Sequence, residues 1–121
     1  MKIIDPGHKF LLPVLDGGDD IELTFVKRVG EMFPGNTAAY PGTTLQEVLR
    51  ACISRCGYLN NQITSEHTLR SIHHMERSIF ELELRAATRH NRVAPSFANA
   101  VYGLTCPLCL HTGCKGGCHA S

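Results

Sequence analysis

Residues 65–92 read SEHTLRSIHHMERSIFELELRAATRHNR. Neither glycine nor proline interrupts them, and Leu69, Ile72, Met75, Ile79, Leu82 and Ala86 recur at three- and four-residue steps. That period places them on one face of a single long helix, with Glu76 and Glu83 at its margin. Thr64 or Ser65 supplies the N-cap. Val93-Ala94-Pro95 stops the helix, because the residue before a proline is pushed out of the helical region. At a rise of roughly 1.5 Å per residue, such a helix reaches about 40 Å, more than a small monomer needs. An apolar stripe of that length predicts self-association.

Working upstream, Thr44-Leu45-Gln46-Glu47 is a capping box. Leu45, Val48, Leu49, Cys52, Ile53, Cys56 and Leu59 then keep the helical period, which predicts a first helix over about residues 45–59. Gly57 lies inside it and costs it some stability. Residues 60–64, Asn-Asn-Gln-Ile-Thr, are expected to form the turn between the helices. Cys52 and Cys56 fall one turn apart on the apolar face and are expected to be buried as small hydrophobes.

Further upstream the period changes to two. Residues 8–14, HKFLLPV, read as a short strand, which Pro13 places at an edge or near its end. Residues 21–28, IELTFVKR, alternate, and Asp16-Gly17-Gly18-Asp19-Asp20 between the two runs is a turn cluster. The pattern predicts a β-hairpin, which must pack on helices or pair with a second subunit to be stable. Residues 29–43 hold Pro34-Gly35-Asn36 and Pro41-Gly42 and are expected to lack regular structure. A loop of that length in a small domain suggests contact with a ligand or partner. Residues 96–104, SFANAVYGL, suit a short helix or an extended arm. The fold class is therefore α+β: an N-terminal antiparallel β-hairpin packed on two helices, one long, with a small Cys-rich C-terminal tail.

The tail, CPLCLHTGCKGGCHAS, places Cys106, Cys109, Cys114 and Cys118 at C-x2-C-x4-C-x3-C. Thiolates at this spacing can wrap a tetrahedral zinc ion, and the glycines between them permit tight turns. His111 and His119 are alternative ligands for one position. A disulfide pair, and no fixed chemistry at all, are the competing readings; reducing compartments disfavour the disulfide. The zinc would be structural, folding a segment too small and Gly-rich for a core. The chain is thus read as a domain over residues 1–104 and a zinc-binding tail over 105–121.

The 121 residues are 43% apolar and 19% charged, a globular composition with room for one small core. The formal charge of +1 implies no bulk attraction to nucleic acid or anionic membrane. No apolar run is long enough to span a bilayer, and residues 1–7 lack the apolar stretch of a secretory signal, so a soluble cytosolic protein is expected. The distribution of charge is more telling. Residues 44–92 carry seven basic side chains, and all are arginine: Arg50, Arg55, Arg70, Arg77, Arg85, Arg89 and Arg92. Arginine alone suggests bidentate work on phosphates or carboxylates. Intrahelical pairing, such as Glu81 with Arg85, is the competing structural use.

Arg77, Glu81, Arg85 and Arg89 form a stripe at four-residue steps that runs into His90-Asn91-Arg92. These hydrogen-bonding groups suit a phosphorylated, base-bearing ligand. Phe80 lies off the main apolar face, where it can stack on a base or serve as a core or interface residue. Arg28 ends the second strand. No nucleophile–base–orienter set, phosphate loop or G-x-G-x-x-G stands out, and His73-His74 diverge on a helix and cannot chelate as a pair. Binding is favoured over catalysis.

Several strings in this order resemble one family. They are Gly7-His8-Lys9-Phe10-Leu11-Leu12-Pro13 and Leu23-Thr24-Phe25-Val26-Lys27-Arg28 in the hairpin, Arg55-Cys56-Gly57-Tyr58-Leu59-Asn60-Asn61-Gln62 in the first helix, and Arg89-His90-Asn91-Arg92 closing the second. Over residues of about 7–100 the chain resembles the first class of phage-encoded Thoeris anti-defence proteins. The resemblance implies a non-enzymatic sponge in the host bacterial cytoplasm. Such a sponge binds, without degrading, cyclic ADP-ribose isomers such as 1''-3' gcADPR made by bacterial TIR-domain proteins. Some members also take up cyclic di- or trinucleotides at separate sites and assemble as hexamers built from dimers, and the resemblance extends both expectations to this chain. By position it implies ligand roles for Arg28, Arg55, Phe80, Arg89, Asn91 and Arg92: arginines on phosphates, Phe80 on adenine, Asn91 on polar edges. The cysteine tail is no part of that ligand site.

The alternative is a small zinc-bearing phage adaptor that binds nucleic acid or a host protein. Its nucleic-acid form is disfavoured by the near-neutral charge and by an aromatic content of 7% without tryptophan.

Overall fold

The computed structural model describes residues 1–30 and 36–103. Among them the chain is α+β, with strands first and helices after. The strands are β1 (Lys2–Asp5), β2 (Lys9–Leu12), β3 (Ile21–Thr24), β4 (Lys27–Gly30) and β5 (Asn36–Tyr40). The helices are α1 (Leu45–Gln62), α2 (Glu66–Arg89) and α3 (Phe97–Tyr102). The chain divides into two compact units, Met1–Val48 and Leu49–Ser121.

In the first unit, β2 and β3 make the expected hairpin, antiparallel with Lys9 opposite Thr24 and Leu12 opposite Ile21. Gly17 and Gly18 in the connection adopt φ of +88° and +112°, conformations open to glycine but costly with a Cβ. Phe10 and Phe25 meet edge to face, with ring centroids 6.0 Å apart. The ribbon gains a third strand that the sequence pattern did not reveal. β1 pairs antiparallel with β2, in the order β1-β2-β3. The Lys27 ammonium donates to Asp5 Oδ2 at 2.9 Å, linking the end of β1 to the start of β4.

Two expectations for this region are corrected. The second strand does not run to residue 28: it stops at Thr24, and Phe25 makes an isolated parallel bridge to Thr43. Thr43 N–H donates to the Thr24 carbonyl at 2.9 Å, and Val26 N–H donates to the Thr43 carbonyl at 3.0 Å. Gly42 makes this approach possible, since a Cβ there would sit 2.5 Å from the Phe25 carbonyl carbon. Nor are residues 29–43 without regular structure. β4 turns away from β2 and pairs antiparallel with β5, with Lys27 opposite Tyr40 and Gly30 opposite Asn36.

The helices start where the caps place them. Glu47 N–H donates to Thr44 Oγ1 at 3.2 Å, and His67 N–H donates to Ser65 Oγ at 3.2 Å. Of the turn expected at residues 60–64, residues 60–62 are instead the last turn of α1. Asn60 Oδ1 accepts from Ser65 N–H at 2.9 Å, so its amide serves the connection from within the helix. Within residues 96–103 the chain forms the short helix α3 over Phe97–Tyr102, with Ser96 Oγ accepting from Asn99 N–H at 3.3 Å.

The second unit's core lies where α3 meets α2. Ile79, Ala87, Ala100 and Val101 are its buried apolar residues among those described. Burial of the cysteines in α1 is not observed: Cys52 is exposed and Cys56 half-buried. No residue of α1 is buried, and Leu45 and Leu59 on the same stripe are exposed. Periodicity identifies a face but does not supply its cover. Among the described residues no helix is long and apolar enough to cross a membrane.

Candidate functional site

α2 ends three residues earlier than proline placement suggests, because the backbone itself closes it. Asn91 adopts φ of 54°, the left-handed conformation that asparagine tolerates better than most residues. Arg92 N–H then donates to the Ala87 carbonyl at 2.8 Å, and Asn91 N–H to the Thr88 carbonyl at 3.3 Å. This is the paired 6→1 and 5→2 arrangement of a Schellman cap. Asn91 therefore has a backbone role, and the cap fixes how Arg89, His90, Asn91 and Arg92 leave the helix. Arg92 Nη2 lies 2.9 Å from His90 Nδ1. A guanidinium only donates, so Nδ1 is the acceptor in this contact.

The seven arginines of residues 44–92 divide by what they touch. Arg50 is structural: Nε donates to the Val101 carbonyl and Nη2 to the Ala100 carbonyl, both at 2.8 Å, with Glu83 Oε1 3.7 Å away. Arg70 pairs with Glu66 at 3.3 Å and Arg77 with Glu81 at 3.8 Å, both exposed contacts of small energetic weight. Glu81 thus pairs backward to Arg77, and the alternative of pairing forward to Arg85 is not observed. Arg55 lies over the Tyr58 ring, 5.0 Å from its centroid. Arg85 and Arg89 are exposed and have no ion pair or hydrogen bond among the described residues. An unpaired guanidinium at a helix C-terminus is favourably placed against the helix dipole and keeps its donors free for an anion.

Phe80 is half-buried and meets Phe97 of α3 at 5.2 Å between centroids, with an interplanar angle of 62°. The Arg77 guanidinium carbon lies 5.4 Å from the Phe80 centroid. Phe80 and Arg89 are nine residues apart, which is two and a half turns, so they project from opposite sides of α2. Arg89, Asn91 and Arg92 stand at the C-terminal end of α2, and Phe80 lies on another face of the helix. Arg55 stands on α1, and Arg28 stands on β4 in the first unit, opposite Ala38.

Sequence reasoning missed Phe97 and Tyr102 as partners of α2. Phe97 packs on Phe80, and the Tyr102 hydroxyl donates to Glu76 Oε2. The signal available for this helix was Ser96 after Pro95, an N-cap three residues before Asn99. Among the described residues no cluster of three or more His, Cys, Asp or Glu can hold a metal ion. The four cysteines proposed to bind zinc, Cys106, Cys109, Cys114 and Cys118, lie outside the described residues, as do His111 and His119. No protein family, curated protein or solved structure matches the chain.

Proposed function

We propose that the protein is a non-enzymatic phage anti-defence protein that binds cyclic ADP-ribose isomers and withholds them from the host's immune effector. The observation that carries this reading is the arginine-rich, Schellman-capped end of α2. There Arg85 and Arg89 are exposed without an ion pair among the described residues, and Arg92 follows the cap. The cap presents Arg89, Asn91 and Arg92 from a fixed backbone, which lowers the ordering cost of binding. The resemblance to Thoeris anti-defence proteins names the ligand class.

Sub-micromolar affinity corresponds to about −8 kcal/mol. Several charge-assisted hydrogen bonds, at roughly 1.5–3 kcal/mol each, together with one stacked base reach that value after binding costs. Because Phe80 and Arg89 face opposite ways on α2, a ligand touching both is shared between copies of the chain. That agrees with a homo-oligomer, for which exposed Leu45, Leu59 and Leu69 leave apolar surface. Cyclic di- or trinucleotides are further candidate ligands, and the zinc of the tail is structural.

The test incubates the protein with 1''-3' gcADPR, denatures it by heat and analyses the released small molecules by mass spectrometry. Recovery of the intact isomer supports sequestration. Recovery of ADP-ribose makes the protein a hydrolase.

A further inference from the structure

We infer that Arg77 is a built-in competitor for the base at Phe80. This inference rests on the proposed stacking of adenine on that ring. The guanidinium of Arg77 lies over Phe80, 5.4 Å from the centroid, while Phe97 meets Phe80 in a T-shaped contact. A cation over an aromatic face and a base stacked on it use the same π surface. The two cannot occupy one side of the ring together, so a base arriving on that side must first displace Arg77.

The neighbouring groups define where the displaced guanidinium goes. Arg77 Nη2 is already 3.8 Å from Glu81 Oε1, one turn further along α2, and both side chains are well exposed. Small rotations of an exposed side chain convert that contact into a hydrogen-bonded ion pair away from the ring. Ligands with an aromatic base gain the ring surface when Arg77 leaves it, whereas a bare phosphate or pyrophosphate, even where it pairs with the guanidinium, gains nothing from the ring. The device therefore acts on base stacking and not on anion binding as such.

The test compares three chains, the wild type, Arg77→Ala and Phe80→Ala, by calorimetric titration with 1''-3' gcADPR and separately with inorganic pyrophosphate. An exposed cation–π contact is worth about two- to fivefold in binding. Arg77→Ala is expected to tighten the cyclic nucleotide by that factor and give pyrophosphate no such gain, while Phe80→Ala weakens the cyclic nucleotide. Saturating wild type with the cyclic nucleotide is also expected to remove the upfield ring-current shift of the Arg77 δ-methylene protons. Weaker or unchanged cyclic-nucleotide binding in Arg77→Ala, beside a weakened Phe80→Ala, overturns this inference alone. An unchanged Phe80→Ala overturns the stacking reading and the inference with it.

Discussion

Arg50 in α1 reaches the C-terminus of α3, where its Nη2 donates to the Ala100 carbonyl at 2.8 Å. Its Nε donates to the adjacent Val101 carbonyl at the same distance, and its charge faces Glu83 of α2. One side chain thus joins all three helices of the second unit at the carbonyls a short helix leaves unpaired. Arg50→Ala is expected to destabilise that unit by about 2–4 kcal/mol, since it leaves two acceptors and a carboxylate without their donor. Arg50→Lys restores only part, because an ammonium lacks the planar fork. Urea denaturation followed by far-ultraviolet circular dichroism measures both, and midpoints equal to the wild type in both variants refute the tie.

Asn91 separates fold from binding. Its φ of 54° suits glycine, so Asn91→Gly is expected to leave stability within about 0.5 kcal/mol of wild type, whereas Asn91→Val costs about 1–2 kcal/mol. If the side-chain amide also reads the ligand, Asn91→Gly folds normally and binds more weakly. Thermal melting paired with calorimetry shows which role the residue has; equal melting of the glycine and valine variants contradicts the cap.

Gly42 is expected to tolerate no side chain. The backbone of Phe25 and Val26 lies within 2.6 Å of where its Cβ would be. Gly42→Ala forces the Phe25–Thr43 bridge apart and is expected to cost more than about 2 kcal/mol. Hydrogen exchange of the Thr43 amide, which bonds to the Thr24 carbonyl, is the local probe. Unchanged protection at Thr43 contradicts the close approach.

The zinc reading is tested by composition. Elemental analysis of protein purified without chelator is expected to give about one zinc per chain, falling on paired Cys106→Ser and Cys109→Ser replacement. A metal-free wild-type preparation whose cysteine tail is nonetheless folded contradicts it.

Much of this fold was legible where a side chain announces a backbone need. Thr44 declared the start of α1 and the Thr64-Ser65 pair that of α2, and Gly17-Gly18 between two strand-like runs declared the hairpin. β1 and β5 were missed for physical reasons. Lys2–Asp5 is too short to show alternation, and Asn36–Tyr40 lies between Pro-Gly pairs that each read as turns. Asn60 read as a loop residue because an asparagine amide that serves a turn can do so from inside the helix. The burial of Cys52 failed differently, since a stripe on α1 says nothing about what covers it. At the candidate site, the arginine skew pointed to the end of α2. The opposite orientation of Phe80 follows from counting residues, yet its contact with Phe97 depends on a short helix that sequence left ambiguous.

The most direct measurement is calorimetric titration of 1''-3' gcADPR into the wild type and into Arg89→Ala and Arg92→Ala, with light scattering to follow assembly. Sub-micromolar binding by the wild type is expected, with each substitution weakening it at least tenfold and leaving the oligomer intact. No heat from the wild type, or equal affinity in all three chains, contradicts the account.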